Sequence, residues 1–232
     1  MHYETLWNGV ELLVREDRFP LSTDSVLCAH FARIPHHAKV ADLGCGSGAI
    51  SMMLLANDPT LQLTGIELDE AAADAARENA RHNRVDLTVL HGDLRQIHTL
   101  LPAGSMDACI SNPPYFPVGS GPTGALAAAR SEETCSLQEL TAAAGWLLKT
   151  GGRLTLVHRP ERLADLCCAL RQEQLEPKRI CFVRHRQDHP ISLILMEAVK
   201  GKKPGLLYEP DLILFDRGGK ETDGCKAAYH RN

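Results

Sequence analysis

The sequence predicts an α/β fold: a seven-stranded, mostly parallel sheet with an antiparallel C-terminal strand and helices on both faces. Three observations predict it. From residue 38 onward, short apolar runs alternate with longer helical stretches, the pattern of a parallel sheet with helical crossovers. A glycine-rich turn, Gly44 to Gly48, directly follows the first run, where a doubly wound sheet brings bare backbone to a ligand. The last two runs are separated only by the polar stretch Arg184 to Pro190, enough for a hairpin and too short for a helical crossover.

The strands are expected at Lys39 to Leu43, Leu61 to Glu67, Leu87 to His91, Asp107 to Ser111, Arg153 to His158, Lys178 to Val183 and Ile191 to Val199. Between the first three lie Ala49 to Asn57 and Glu70 to Asn83, rich in alanine and free of proline, hence helical. Ser136 followed by Glu139 reads as a capping box, opening a helix expected to reach Lys149 and to stop at Gly151-Gly152. The stretch from Phe116 to Cys135, with Pro117, Gly119, Gly121, Pro122 and Gly124, reads as a long functional loop. One domain is expected over 1–232: an N-terminal segment 1–37 that covers the ligand, a core 38–199 and a tail 200–232.

Apolar residues make up 44% and charged residues 23% of the chain, ordinary usage for a globular protein. Met1 to Val14 carries His2, Glu4 and Glu11, which break any signal-like core, and no run approaches the roughly 18 to 20 apolar residues that span a bilayer. No membrane partner is expected. The eight cysteines form no CxxC pair and read as small buried hydrophobes of a cytoplasmic protein. Net charge is -4, unevenly spread: Lys149 to Lys203 holds 12 Lys/Arg against 6 Asp/Glu, which leaves 13 against 23 elsewhere. That segment, with Arg184, Arg186, Lys202 and Lys203, is the candidate surface for a polyanion such as RNA.

Asp42-Leu43-Gly44-Cys45-Gly46-Ser47-Gly48 closes the first strand and opens a helix. Glu67, nineteen residues past Gly48, ends the second strand, where a carboxylate can take both hydroxyls of a ribose; Leu68 follows it. The spacing is GxGxG rather than the GxGxxG that admits a pyrophosphate, which favours S-adenosylmethionine over a nicotinamide dinucleotide. Asp93, after the third strand, offers its carboxylate or the backbone N–H of Leu94 to the adenine edge of such a cofactor.

Asn112-Pro113-Pro114-Tyr115 follows the fourth strand, on the same carboxyl edge of the sheet. An amine conjugated to an aromatic ring is a poor nucleophile because its lone pair is delocalised. The Asn112 side-chain oxygen and the Pro113 carbonyl can each accept one of its N–H groups, turning the lone pair toward a donor methyl. Tyr115, flanked by Pro114 and Phe116, offers a face on which a flipped base can stack. No metal is expected: Cys181, His185 and His189 recur every fourth residue on a strand and turn, where that spacing does not converge.

With these motifs placed, the chain resembles the bacterial tRNA adenine N(6)-methyltransferases that modify the adenine next to the anticodon of a valine tRNA, members of the Rossmann-like class I methyltransferases. The resemblance covers nearly the whole chain. It includes Phe19 and Ser22-Thr23-Asp24-Ser25-Val26-Leu27, similar to the family's cofactor-covering segment. It also includes Ala129-Arg130-Ser131-Glu132, with Ser131 where the family commonly has His, and a tail with Glu209-Pro210-Asp211-Leu212-Ile213, Gly219, Glu221 and Thr222. It implies S-adenosylmethionine as cofactor, S-adenosylhomocysteine as product, tRNA as partner, Thr23 and Asp24 near the cofactor and Arg130 near RNA; the sequence leaves monomer and homodimer equally open.

Alternatives stay open on the residues alone. A protein glutamine presents the same kind of conjugated nitrogen, although enzymes of that type usually carry an extra N-terminal helical domain and here the glycine turn begins at Asp42. Adenine in ribosomal RNA or in DNA is a second alternative, and an RNA-binding module without catalysis a third; the intact Asn-Pro-Pro-Tyr argues against the last.

Overall fold

The computed structural model describes residues 2–5, 9–14, 22–113 and 135–230. Its main sheet is built outward from β3 (Lys39–Leu43). On one side of it lie β4 (Gln62–Glu67) and β5 (Leu87–His91), and on the other β6 (Met106–Ser111) and β7 (Leu148–His158), all parallel. Strand order thus reverses between β3 and β6, and at such a switch point the carboxyl ends of the strands part to leave a ligand crevice.

The last two long strands, β8 (Leu175–Arg184) and β9 (Ile191–Lys200), form the expected hairpin. β9, last of the seven in chain order, is antiparallel, but it lies between β7 and β8 rather than at the edge. Composition accounts for this. β9 is buried from Leu193 to Val199, whereas β8 carries Pro177, which has no N–H to donate and sits beside a register shift. Two strands of two residues each, β10 (Leu207–Tyr208) and β11 (Leu212–Ile213), pair along the outer side of β8 and bring the sheet to nine strands.

Helices cover both faces. α1 (Thr23–Phe31), α2 (Ala49–Asn57) and α3 (Glu70–Asn83) pack on one face, α2 and α3 with the bounds the sequence predicts. On the other lie α4 (Ile97–Leu100), α5 (Leu137–Leu147) and α6 (Leu163–Gln172). The period of two is visible along β6: Ala108 and Ile110 join the first cluster and Cys109 the second. Both halves of the capping box open α5, with Glu139 N–H on Ser136 Oγ and Ser136 N–H on Glu139 Oε2.

The expected run of that helix to Lys149 is corrected. α5 ends at Leu147, and Gly151-Gly152 lie inside β7, in a bulge between the Met106–Leu148 and Ala108–Arg153 pairs. Lys200 Nζ, reaching across from β9, donates to the carbonyls of Gly145 and Leu148 and satisfies the helix end without a glycine stop. Gly151 takes φ +84°, and a Cβ on Gly152 would stand 3.1 Å from the Asp107 carbonyl oxygen.

The termini add what periodicity does not reveal. β1 (His2–Thr5) and β2 (Glu11–Val14) form a small antiparallel hairpin against α3, with Tyr3 stacked on His82 at 4.2 Å. The tail is fastened by charge: Glu209 meets Arg179 at 2.7 Å and Arg33 at 2.9 Å, and Asp211 meets Arg184 at 2.7 Å. It ends in α7 (Asp223–Ala228), capped by Thr222. Among the described residues no helix is long and apolar enough to cross a membrane.

Candidate active site

Two hydroxyl and thiol contacts bring the glycine turn and Asn112 together. Ser111, at the end of β6, donates its Oγ–H to the Leu43 carbonyl at 2.7 Å, tying the carboxyl ends of β3 and β6. Cys28 of α1 reaches the Ser111 carbonyl at 3.5 Å, which seats α1 over the same place. Gly44 and Asn112 therefore leave their strands side by side.

The turn holds three glycines in the left-handed region, at φ +71° (Gly44), +55° (Gly46) and +83° (Gly48), which other residues adopt only with strain. Cβ atoms at Gly44 and Gly46 would meet nothing within 4 Å, so this backbone faces open space, as a ligand cradle requires. Gly48 is the first residue before α2 and needs its glycine for packing as well, 3.3 Å from Ala76. Cys45 is buried beneath the turn, with no room for a side chain on Gly65 opposite: a Cβ there would lie 2.7 Å from its Sγ.

Two carboxyls sit under the turn. Glu67 accepts from Gly46 N–H at 2.8 Å and Asp69 N–H at 2.9 Å, bridging the turn to the start of α3, and Leu68 beside it is 40% exposed. Asp42 is fully buried; its Oδ2 accepts from Ser51 Oγ at 2.7 Å and its Oδ1 has no partner among the described residues. Burial, with the charge of Glu67 adding to it, pushes the Asp42 carboxyl from its ordinary 3.8 up to about 7, and burial raises Glu67 too. An acid raised on folding stabilises the protein fully below its ordinary pKa and loses that contribution as pH climbs through the folded value. The contribution of Asp42 to the thermal stability of the ligand-free protein should therefore fall as pH rises from 3.8 through about 7, so that Asp42→Asn gains stability relative to wild type across that window. Identical pH slopes for the two proteins in thermal melts would show that Asp42 is ionised throughout.

Asp93 caps a short 3-10 turn (Leu94–Gln96) and is clasped by the Arg95 guanidinium at 2.6 Å, which holds its carboxyl below the usual range. Its carboxylate is thus engaged with its own neighbour. Gly92 N–H on the Glu67 carbonyl, at 2.8 Å, keeps this turn at the same strand edge.

Asn112 is half-buried and Pro113 buried. The Asn112 Nδ2 donates to Ser25 Oγ at 2.9 Å and to Ser22 Oγ at 3.3 Å. Ser22 and Ser25 are site residues that the sequence does not single out; they flank Thr23 and Asp24 in the family-like segment, and only the fold brings them to Asn112. Thr23 is exposed and its hydroxyl meets Tyr229 of the tail at 3.1 Å, while Asp24 lies half-buried in the first turn of α1. Pro114, Tyr115, Phe116, Arg130, Ser131, Glu132 and Phe19 lie outside the described residues, as does the loop expected after Phe116 as far as residue 134.

The basic residues divide. Arg184 and Arg186 stand at the β8–β9 turn on the strand edge that carries Asn112, three strand spacings or about 14 Å across the sheet. Lys202 and Lys203 follow β9 at its far end, about 30 Å along the sheet from that edge, because an antiparallel strand carries its two ends to opposite sides. Much of the local charge surplus is also spent internally, on Asp107, Glu209 and Asp211 from outside the segment.

A doubly wound sheet with a glycine cradle, paired acids and an Asn-Pro turn at its switch point defines a Rossmann-like class I methyltransferase. The model of the family described as methyltransferase small domain matches residues 22–166. A tRNA1(Val) (adenine(37)-N6)-methyltransferase of Porphyromonas gingivalis is 33% identical over 175 residues, 71% of this chain and 68% of that protein. One of the same name from Aliivibrio salmonicida is 30% identical over 214 residues, 91% and 89% of the two chains. The crystal structure of a predicted O-methyltransferase from Agrobacterium tumefaciens superposes with a TM-score of 0.76 at 21% identity, covering 90% of this chain and 96% of that one, a likeness of fold. The chain belongs to the methyltransferase small domain family and, within it, to the family of tRNA1(Val) (adenine(37)-N6)-methyltransferases.

Proposed function

We propose that this protein transfers the methyl group of S-adenosylmethionine to the exocyclic amine of an adenine in tRNA, at position 37 beside the anticodon. The observation that carries the reading is Asn112, set at the carboxyl end of β6 beside the glycine turn with its amide nitrogen turned onto α1. The relatives' names support the substrate, and the site's chemistry supports the cofactor. Asp42 Oδ1 is a buried acceptor in need of a donor, Glu67 has lone pairs for ribose hydroxyls, and the Gly44 to Gly46 backbone leaves room for a close ligand. Both acids favour a ligand that carries positive charge.

When bound, S-adenosylmethionine supplies a sulfonium methyl already activated toward a nucleophile. The residues of this chain then have three tasks. Glu67 and the Leu94 N–H orient the two ends of the nucleoside. Asn112 Oδ1 and the Pro113 carbonyl accept the N–H groups of the target amine, draw its lone pair out of the ring and stabilise the positive charge that develops on nitrogen. Tyr115 stacks on the adenine and shields it from water.

Incubating the protein with labelled S-adenosylmethionine and, separately, total tRNA, ribosomal RNA and release factors tests this directly. The expected product after digestion is N6-methyladenosine from tRNA alone; label on a glutamine of a release factor would replace the reading. For the RNA surface, Arg186→Gln should weaken tRNA binding and reduce the salt slope by about 1, whereas Lys202→Ala with Lys203→Ala should leave the slope unchanged. The opposite ranking would move the RNA to the other edge of the sheet.

A further inference from the structure

The acceptor role given to Asn112 needs its carboxamide the right way round. Turned over, it would present an N–H to the N–H of the target amine, and the reaction would lose an acceptor and gain a clash. The two ends of a carboxamide are nearly the same size and shape, so shape does not decide between the two orientations.

Helix α1 supplies hydrogen-bond partners that do distinguish them. Ser22 is its N-cap and takes the Ser25 N–H on its own Oγ at 3.2 Å; the two hydroxyls are 3.1 Å apart, and Ser25 is buried. Hydrogen counting then separates the orientations. With Nδ2 toward α1, its two protons go to Ser25 Oγ and Ser22 Oγ, and a hydroxyl proton remains for the bond between the serines, three bonds among these three side chains. With Oδ1 toward α1, each hydroxyl has a single proton, and giving both to Oδ1 forfeits the bond between the serines, leaving two. The serine pair thus favours the catalytically useful orientation and pins its plane.

We infer that Ser25, assisted by Ser22, is a positioning residue for methyl transfer: it acts through Asn112, fixing the end of the carboxamide that meets the substrate amine. The inference rests on the function proposed above. A consequence is that α1, which the sequence marks only as a cofactor-covering segment, also sets the geometry of the acceptor, so that the N-cap of one helix and the motif after β6 work as one unit.

Ser25→Ala removes the shorter of the two bonds. The expected result is a kcat lowered about three- to tenfold, the equivalent of one hydrogen bond, with KM for tRNA, the dissociation constant for S-adenosylmethionine and the melting temperature close to wild type. A second measurement does not depend on turnover. In protein labelled with 15N-asparagine, the Asn112 carboxamide pair, assigned by its loss in Asn112→Ala, should exchange slowly with water in the wild type and faster in Ser25→Ala. Unchanged kcat, unchanged exchange, or a fall in cofactor affinity parallel to the fall in kcat would each overturn the assignment. Failure of the wild-type protein to methylate any RNA would instead strike the proposed function, while the exchange comparison would still decide whether the serine pair holds the carboxamide.

Discussion

Asn112→Ala is expected to slow methyl transfer by a factor of about 10² to 10³ while S-adenosylmethionine binds within about twofold of wild type. The size follows from what the side chain does and when. In the proposed reaction its oxygen accepts an N–H of the target amine, and that bond strengthens only as positive charge builds on nitrogen, so the loss falls on the transition state and not on the ground state. The Pro113 carbonyl and the positioning of the two reactants remain, which is why some turnover should persist. The local fold should persist as well, because Ser111, through its bond to the Leu43 carbonyl, holds the strand ends together without Asn112. Single-turnover rates with tRNA, set beside calorimetric titration of the cofactor, make the comparison. A dissociation constant that rises by the same factor as the rate falls would assign Asn112 to cofactor binding instead.

The features legible in the sequence are those written in short-range pattern. α2 and α3 coincide with the predicted bounds because proline-free stretches rich in alanine and leucine between turn signals leave few other readings, and β3 and β5 because each is a short stretch with three apolar residues of five, set between polar or glycine-containing connections. The turn at Gly44 to Gly48 and the position of Asn112 follow from motif and strand end together. What escaped is what depends on partners far along the chain. Gly151-Gly152 look like a helix stop, yet Lys200, some fifty residues later, ends α5, and the glycines serve a bulge. Lys202 and Lys203 are near Arg186 in sequence but a full strand length away in space, since β9 carries the chain to the opposite edge. Ser22 and Ser25 matter only because β6 delivers Asn112 to them, a contact across some ninety residues.

Asn79→Ala should destabilise the protein by about 2 to 5 kcal/mol and weaken cofactor binding with it. Asn79 is fully buried on α3, and its two ends serve two masters: Oδ1 accepts the Leu13 N–H of β2 at 2.8 Å, and Nδ2 donates to the Ser47 carbonyl of the glycine turn at 2.9 Å. Truncation leaves both backbone groups buried without a partner, which sets the stability loss; for a chain of this length that corresponds to a fall in melting temperature on the order of 10 °C. The effect on the ligand follows from geometry. Ser47 lies between Gly46 and Gly48, so releasing its carbonyl frees the backbone that must approach the cofactor. Asn83 provides the control. It holds β2 through Glu11, accepting its N–H and donating to its carbonyl at 2.8 and 2.7 Å, and its hydrogen bonds among the described residues go to Glu11, Asn79 and Met52 rather than to the turn. Asn83→Ala should therefore loosen the N-terminal hairpin while the dissociation constant for S-adenosylmethionine stays at its wild-type value. Equal affinities for the Asn79 and Asn83 variants would mean that the turn holds its shape without α3, and that the hairpin and the cradle are energetically separate.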